Sequence, residues 1–268
     1  MYSDLSRPPL KVSELRRGLD PFYSGLDVVE RTGSTNADLM ARAADPDAAG
    51  SVLIAEFQES GRGRHSRTWV SPPQAQIAMS ILLKMPGITP EELGWLPLTT
   101  GVAVAAAVQK VAKLDAELKW PNDVLIGGRK VAGILAEVGA TTPDPVIVVG
   151  LGLNVTLRED ELPVPTATSL LLAGAEVTDR TTLIRAILRE FAARISAWQR
   201  SDWATADLAE AYRTMSGTIG IEVRADLPGD EAVKGIAVDV DEDGRLLIET
   251  DHGVVAVSAG DVTHLRPA

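Results

Sequence analysis

The chain has 268 residues, 45% of them hydrophobic and 24% charged, with a formal net charge of −11. That is the composition of a folded globular protein and excludes a disordered or fibrous chain, while the acidity argues against a protein that coats nucleic acid. The lack of cysteine removes disulfides, thiolate nucleophiles and cysteine-bound metals and fits a reducing compartment; His65, His252 and His264 make no paired ligand spacing.

The N-terminal stretch MYSDLSRPPLKVSEL carries an acid and two prolines before any apolar run, unlike a secretory signal. Thr32-Gly33-Ser34-Thr35-Asn36 then precedes ADLMARAA, where Leu39, Met40 and Ala43 are at helical spacing and Asp45-Pro46 stops the helix. Thr35 is a candidate cap of that helix, with Asp38 as a capping-box partner. Residues 51–57 (SVLIAEF) and 77–84 (IAMSILLK) read as buried strands, and a basic glycine loop lies between them. A helix is predicted over residues 98–114 and a strand over 116–120. Its longest apolar stretch, residues 102–108, is too short to cross a bilayer, so the chain is expected to be cytoplasmic and free of membrane.

Gly127-Gly128 marks a turn before a segment at 130–138, and PVIVV at 145–149 reads as another buried strand leading into GLGLNV. Leu183, Ile184, Ile187, Leu188, Phe191, Ile195 and Trp198 form an amphipathic helix whose stripe is expected to pack on the sheet. Beyond Gly217 the texture becomes short alternating runs, IEVRAD, VKGIAVDV, RLLIET and VVAVSA, with aspartate-glycine turns. We therefore expect an α+β chain: a larger mixed domain over residues 1–216 and a small β-barrel over 217–268.

Two segments carry chemistry. Residues 61–67 (GRGRHSR) place three arginines among glycines, a composition suited to an oxyanion, since glycine lets amides approach and arginine offers a planar fork. Taken alone the segment fits equally a solvated loop or a nucleic-acid contact. Lys119-Trp120-Pro121-Asn122-Asp123, followed by Lys130, supplies an amide, a carboxylate and ammonium groups about one turn; alone, it reads more readily as a shaped hairpin with solvated lysines.

The order TGSTN, AEFQESGRGRHSRTW, KWPNDV, GRKVAGILAE, GLGLNV resembles the biotin protein ligases, relatives of the lipoate ligases, across residues 29–156. The resemblance implies a mixed sheet with flanking helices, a C-terminal SH3-like β-barrel, and a two-step reaction. In it biotin and ATP give biotinyl-5′-AMP and pyrophosphate, with Mg²⁺ aiding the approach of two anions, and a carrier lysine then takes the biotin. Ser34, Thr35, Asn36 and Gln58 match biotin-contacting positions; Arg62, Gly63 and Arg64 match the loop over biotin and the adenylate phosphate; Lys130 matches the lysine holding carboxylate and α-phosphate oxygens. Asn122, Trp69 and Asn154 are placed near the nucleotide, with a core anchor as the other reading of Trp69 and a turn role as that of Asn154. Asp123 is the expected proton acceptor, and no protein metal ligands are assigned. The implied partner is a biotin carboxyl carrier domain of an acyl-CoA carboxylase. Only about thirty residues precede TGSTN, so the DNA-binding domain of repressor-type members is not expected; homodimerisation stays open, and the glycine loop is expected to order on biotin.

Overall fold

The computed structural model describes residues 6–140, 144–227, 231–258 and 260–265. The first five residues of the N-terminal stretch and Ala259 of the VVAVSA run lie outside the described residues.

In chain order, α1 (Val12–Arg16) and β1 (Gly25–Val29) precede α2 (Thr35–Met40) and β2 (Ser51–Ala55). A short ribbon, β3 (Gly61–Arg62) with β4 (Thr68–Trp69), leads to β5 (Gln76–Lys84), α3 (Trp95–Ala112), β6 (Glu117–Lys119), β7 (Asp123–Ile126), β8 (Arg129–Ala140) and β9 (Val146–Asn154). Then come α4 (Arg180–Arg200), α5 (Ala206–Met215), β10 (Glu222–Asp226), β11 (Ala232–Val240), β12 (Leu246–Thr250), β13 (Gly253–Val257) and β14 (Asp261–His264).

The main sheet has the order β1-β2-β5-β9-β8-β7-β6. Only β1 and β2 pair in parallel; the other neighbours are antiparallel, so the sheet is mixed as expected. β2 and β9 are apolar runs because both faces of the sheet are covered. Alternate residues take opposite sides: Val52, Ile54, Ile147 and Val149 join the large core with α3 and α4, while Leu53, Leu82, Val146 and Val148 meet Leu39 of α2. The Gly127-Gly128 turn has both residues at positive φ, 55° and 73°, which glycine adopts without strain in a two-residue hairpin.

Two helix expectations change. The stripe of α4 packs chiefly against α3 and meets the sheet mainly at β5. The cause is α3 itself, which is buried on all sides, Leu98, Val102, Val104 and Val108 among its residues, and therefore needs cover on both faces. The helix with its preceding turn, Glu92–Ala112, is long and apolar enough to cross a membrane, but 72% of that window is buried in the core. The cap of α2 is Ser34, whose side chain accepts from the Ala37 N–H, and not Thr35; Asp38 accepts instead from the Thr32 hydroxyl at 2.5 Å.

The C-terminal β unit is a five-stranded antiparallel sheet, β13-β12-β11-β10-β14. It leans on the main body where Trp95 Nε1 donates to Glu242 O (2.7 Å) and Trp120 Nε1 donates to Gly244 O (3.0 Å). α1, β1, β3, β4, β7, α5 and β14 are elements not expected from the sequence.

Candidate active site

Parallel pairing of β1 and β2 carries on into the loops that follow them. Thr32 N–H donates to Phe57 O (3.1 Å), Glu59 N–H to Thr32 O (2.9 Å) and Ser60 N–H to Gly33 O (2.9 Å), so the TGSTN loop and the start of the glycine loop lie side by side at the carboxyl ends of their strands. α2 then lies across the sheet face below.

That face is floored by glycine. Gly152 of β9 is in register with Ala78 of β5 and Gly133 of β8, and Gly150 with Ser80 and Leu135. A Cβ on Gly152 would fall 2.4 Å from Trp69 Cε2, and one on Gly150 would fall 2.2 Å from Asn36 Oδ1. The glycines therefore admit the indole and the amide against the backbone. Trp69 is held further by Nε1 donating to Gln76 Oε1 at 2.5 Å, and the Lys130 ammonium stands 5.5 Å from the ring centroid.

Lys130 reaches this face through a bulge. Along β7 and β8, Asp123 pairs with Gly133 and Val124 with Ala132, but Leu125 pairs with Lys130, leaving Val131 as the extra residue. Regular alternation would point Lys130 to the side of Ala132 and Ile134, which are core residues; the bulge turns it to the side of Asp123 and Gly133. Its Nζ then pairs with Asp123 Oδ1 at 2.5 Å.

The cavity over the glycine floor encloses about 610 Å³, a size suited to a small-molecule site. Its wall collects Ser34, Thr35, Asn36, Gln58, Arg62, Gly63, Arg64, Trp69, Asn122, Asp123, Lys130 and Asn154, that is, every residue singled out from the motifs. Arg64 donates to Asn122 Oδ1 at 3.4 Å, and Asn122 Nδ2 donates to Ile134 O at 2.7 Å. Asn154 ends a strand rather than making a turn; its Nδ2 donates to Thr168 O at 2.9 Å. The ribbon over the floor has Gly63 N–H donating to Arg67 O (2.7 Å) and an ion pair from Arg67 to Asp261.

Several wall residues were assigned no role from the sequence. Lys119, Arg67, Thr166 and Ala167, and Asp226, Asp261 and Thr263 from the C-terminal unit, all line the cavity. Lys119 stood in KWPND but was not assigned a role. Burial holds its ammonium below the usual lysine range, Asp123 draws it back up and Lys130 pushes it down. Burial likewise lowers Arg64 from its ordinary value, opposed by Asp261 and Asp123. The cavity is thus rich in cations that lack full solvation, an arrangement that gains from an incoming anion.

Magnesium finds no protein-built site here. No group of three histidine, aspartate or glutamate side chains comes together among the described residues, and the wall carboxylates Asp123, Asp226 and Asp261 already face Lys130, Arg224 and Arg67. No step below is assigned to a metal.

Comparison with known proteins follows from this geometry. The Biotin/lipoate A/B protein ligase family matches residues 28–154, and the Biotin protein ligase C terminal domain matches residues 218–265. The chain is 48% identical to the biotin acetyl-CoA-carboxylase ligase of Mycobacterium tuberculosis, over 98% of both chains. The chain belongs to the biotin protein ligases. It is also 33% identical to the bifunctional ligase/repressor BirA of Bacillus subtilis, over 97% of this chain and 81% of that one. A solved biotin protein ligase from Aquifex aeolicus, in complex with biotin and ATP, superposes with a TM-score of 0.74 at 26% identity, covering 91% of this chain and 100% of that one. The mixed sheet, flanking helices and C-terminal β unit are those of this ligase fold.

The C-terminal unit also touches the KWPND turn of this ligase. Trp120 N–H donates to Thr218 Oγ1 (3.1 Å), and Thr218 Oγ1 lies 3.0 Å from His264 Nε2. Burial, aided by the charge of Lys119, pushes His264 from 6.5 down to about 4. The folded protein therefore refuses a proton that the unfolded chain takes up as pH falls below 6.5, so stability is lost through the window from 6.5 to about 4. Urea unfolding at a series of pH values across that window is expected to show a shallower decline for His264→Gln than for wild type. Parallel declines in the two proteins would remove His264 from the account.

Proposed function

We propose that this cavity joins the carboxylate of biotin to the α-phosphorus of ATP and then passes the biotinyl group to a lysine of a biotin carboxyl carrier domain of an acyl-CoA carboxylase, in the cytoplasm. The observation that carries the reading is the Lys130–Asp123 pair at 2.5 Å on the glycine floor, beneath a ribbon bearing Arg62 and Arg64. In the first step a biotin carboxylate oxygen bonds to phosphorus, the bond to the bridging oxygen breaks and pyrophosphate leaves. Two anions must approach, and Lys130, Arg62, Arg64 and Lys119 supply the opposing charge in a partly desolvated space. Ser34, Thr35, Asn36 and Gln58 hold the ureido end of biotin; Asn122, Trp69 and Asn154 bound the nucleotide end.

In the second step the carrier amine attacks the acyl carbon, AMP leaves with the bonding electrons, and the amine must shed a proton. Asp123 accepts it, since it is the carboxylate at the reacting end, beside Lys130. Pyrophosphate release with biotin and MgATP, labelling of a carrier domain, and no turnover with lipoate are the expected results. Asp123→Ala is expected to slow transfer from preformed adenylate about 100-fold or more; transfer at the wild-type rate rules out its role as base, and turnover with lipoate alone overturns the substrate.

A further inference from the structure

The wall at the ureido end contains a chain of hydrogen bonds that leads away from the cavity. Thr35 Oγ1 lies 2.7 Å from Ser80 Oγ, Ser80 Oγ donates to Asn36 Oδ1 at 2.6 Å, and Asn36 Nδ2 donates to Leu135 O (3.2 Å) and to Glu137 Oε2 (2.7 Å). Glu137 itself is not among the residues lining the cavity.

Counting protons gives the chain a direction. The Leu135 carbonyl and the Glu137 carboxylate oxygen accept here, so Asn36 turns its NH₂ toward them and its Oδ1 toward Ser80. Ser80 has one proton and gives it to Asn36. Thr35 then sends its own proton to Ser80 or to Gln58 Oε1, 3.0 Å away, in both cases to a protein partner rather than to a ligand. Its oxygen, in the cavity lining, is left to accept. Gln58 is oriented by the Thr35 N–H, which donates to Oε1 at 2.8 Å, so its amide NH₂ points the other way as a donor. Acceptor beside donor matches an N–H beside a carbonyl, as in one half of a cyclic urea.

We propose that Glu137 is the positioning residue that fixes this polarity and so sets the site's preference for a ring N–H at Thr35. The inference rests on the biotin reading of the cavity. Thr35, Asn36 and Ser80 are buried, at 3%, 4% and 0% exposure, so solvent cannot supply a substitute partner. Nor has Asn36 room to shift, because its Oδ1 sits directly over Gly150. Without the carboxylate only the longer bond to Leu135 O (3.2 Å) holds the Asn36 amide, so it reverses more readily, Ser80 turns with it, and the Thr35 hydroxyl donates more often.

The test measures binding of biotin and of its two cyclic carbamate analogues, each with one ureido N–H replaced by oxygen, to wild type, Glu137→Leu and Glu137→Gln by calorimetry. Wild type is expected to bind one carbamate about 10-fold or more weakly than biotin, the regioisomer whose oxygen meets Thr35. Glu137→Leu is expected to lose about 10-fold in biotin affinity while that discrimination shrinks to about 2-fold. Pyrophosphate release at saturating biotin is expected to stay near the wild-type rate, which a general loss of structure would not allow. Glu137→Gln, whose amide oxygen still accepts from Asn36, is expected to give an intermediate ratio, and this ratio decides the matter if the leucine variant does not fold. An unchanged ratio in the variants, or equal losses for all three ligands, overturns the inference. Failure of wild type to bind biotin overturns instead the substrate reading on which it rests.

Discussion

Replacement of Lys130 by alanine is expected to lower pyrophosphate release by about 100- to 1,000-fold, the cost of removing one well-placed charge donor from a reacting oxyanion. The Lys130 ammonium is the one ion-paired with Asp123; Lys119 is a second, neighbouring ammonium, and Arg62 and Arg64 come from the ribbon above. Its loss also strands the Asp123 carboxylate, so the variant combines weaker attraction for the incoming anions with a carboxylate that repels them. Arginine should not restore the rate, because an added Cβ on Gly133 would already lie 3.2 Å from both the Lys130 Nζ and Trp69 Cζ3, leaving little width for a planar guanidinium. The side chain of Lys130 is 34% exposed, so the melting temperature should move little. A single-turnover measurement of pyrophosphate release in the wild type and both variants checks this, and a loss smaller than about 10-fold for the alanine variant would remove Lys130 from the first step.

A single methyl group on the cavity floor should be nearly as harmful. Gly152→Ala places a carbon 2.4 Å from Trp69 Cε2 and 2.6 Å from Nε1, distances that no rotamer adjustment of alanine can relieve. The indole must leave, giving up its bond to Gln76 and pulling on Gly61, with which Trp69 is paired in the ribbon. Overpacking of this kind costs about 1–3 kcal/mol of stability. The functional loss should exceed the stability loss, because the ribbon that bears Arg62 and Arg64 is displaced from the floor. We expect adenylate formation to fall about 100-fold, since a misplacement of about 1 Å has that effect on a reacting geometry. Gly25→Ala is the control: its Cβ meets nothing within 4 Å. Adenylate formation in Gly152→Ala at the rate of the control would show that Trp69 does not need the glycine floor.

Much of the main sheet and its helices was legible because their signals are local. The apolar runs of β2, β5 and β9, the glycine turn between β7 and β8, and the three- and four-residue spacing in α4 are properties of neighbouring residues. β1 escaped notice because GLDVV mixes one acid with a half-exposed edge position, and α1 because five residues carry too little periodicity. α5 was hidden for a related reason: it buries only Ala209 and Tyr212 fully, so its stripe is thin. The packing of α4 on α3 was misjudged because amphipathicity says that a stripe is covered and not by what.

For the site, the sequence by itself determined the chemistry available: a glycine and arginine loop, an amide, carboxylate and lysine about one turn, and a hydroxyl-rich helix start, in an order that resembles one family. Those are statements about residue type and spacing. Tertiary structure decided which groups meet. The TGSTN and glycine loops lie together because β1 and β2 pair in parallel, and Arg67 faces Asp261 across 194 residues of sequence. Lys130 turns to the cavity only because a bulge at Val131 reverses the alternation, an event governed by strand register rather than by the identity of the lysine. The same holds for Glu137: it closes the GRKVAGILAE motif, but the motif gives it no role, and its bearing on Thr35 exists only through hydrogen bonds that link α2, β5 and β8. Hydrogen-bond direction is a property of closed three-dimensional networks, where each proton is counted once, and no linear pattern records it.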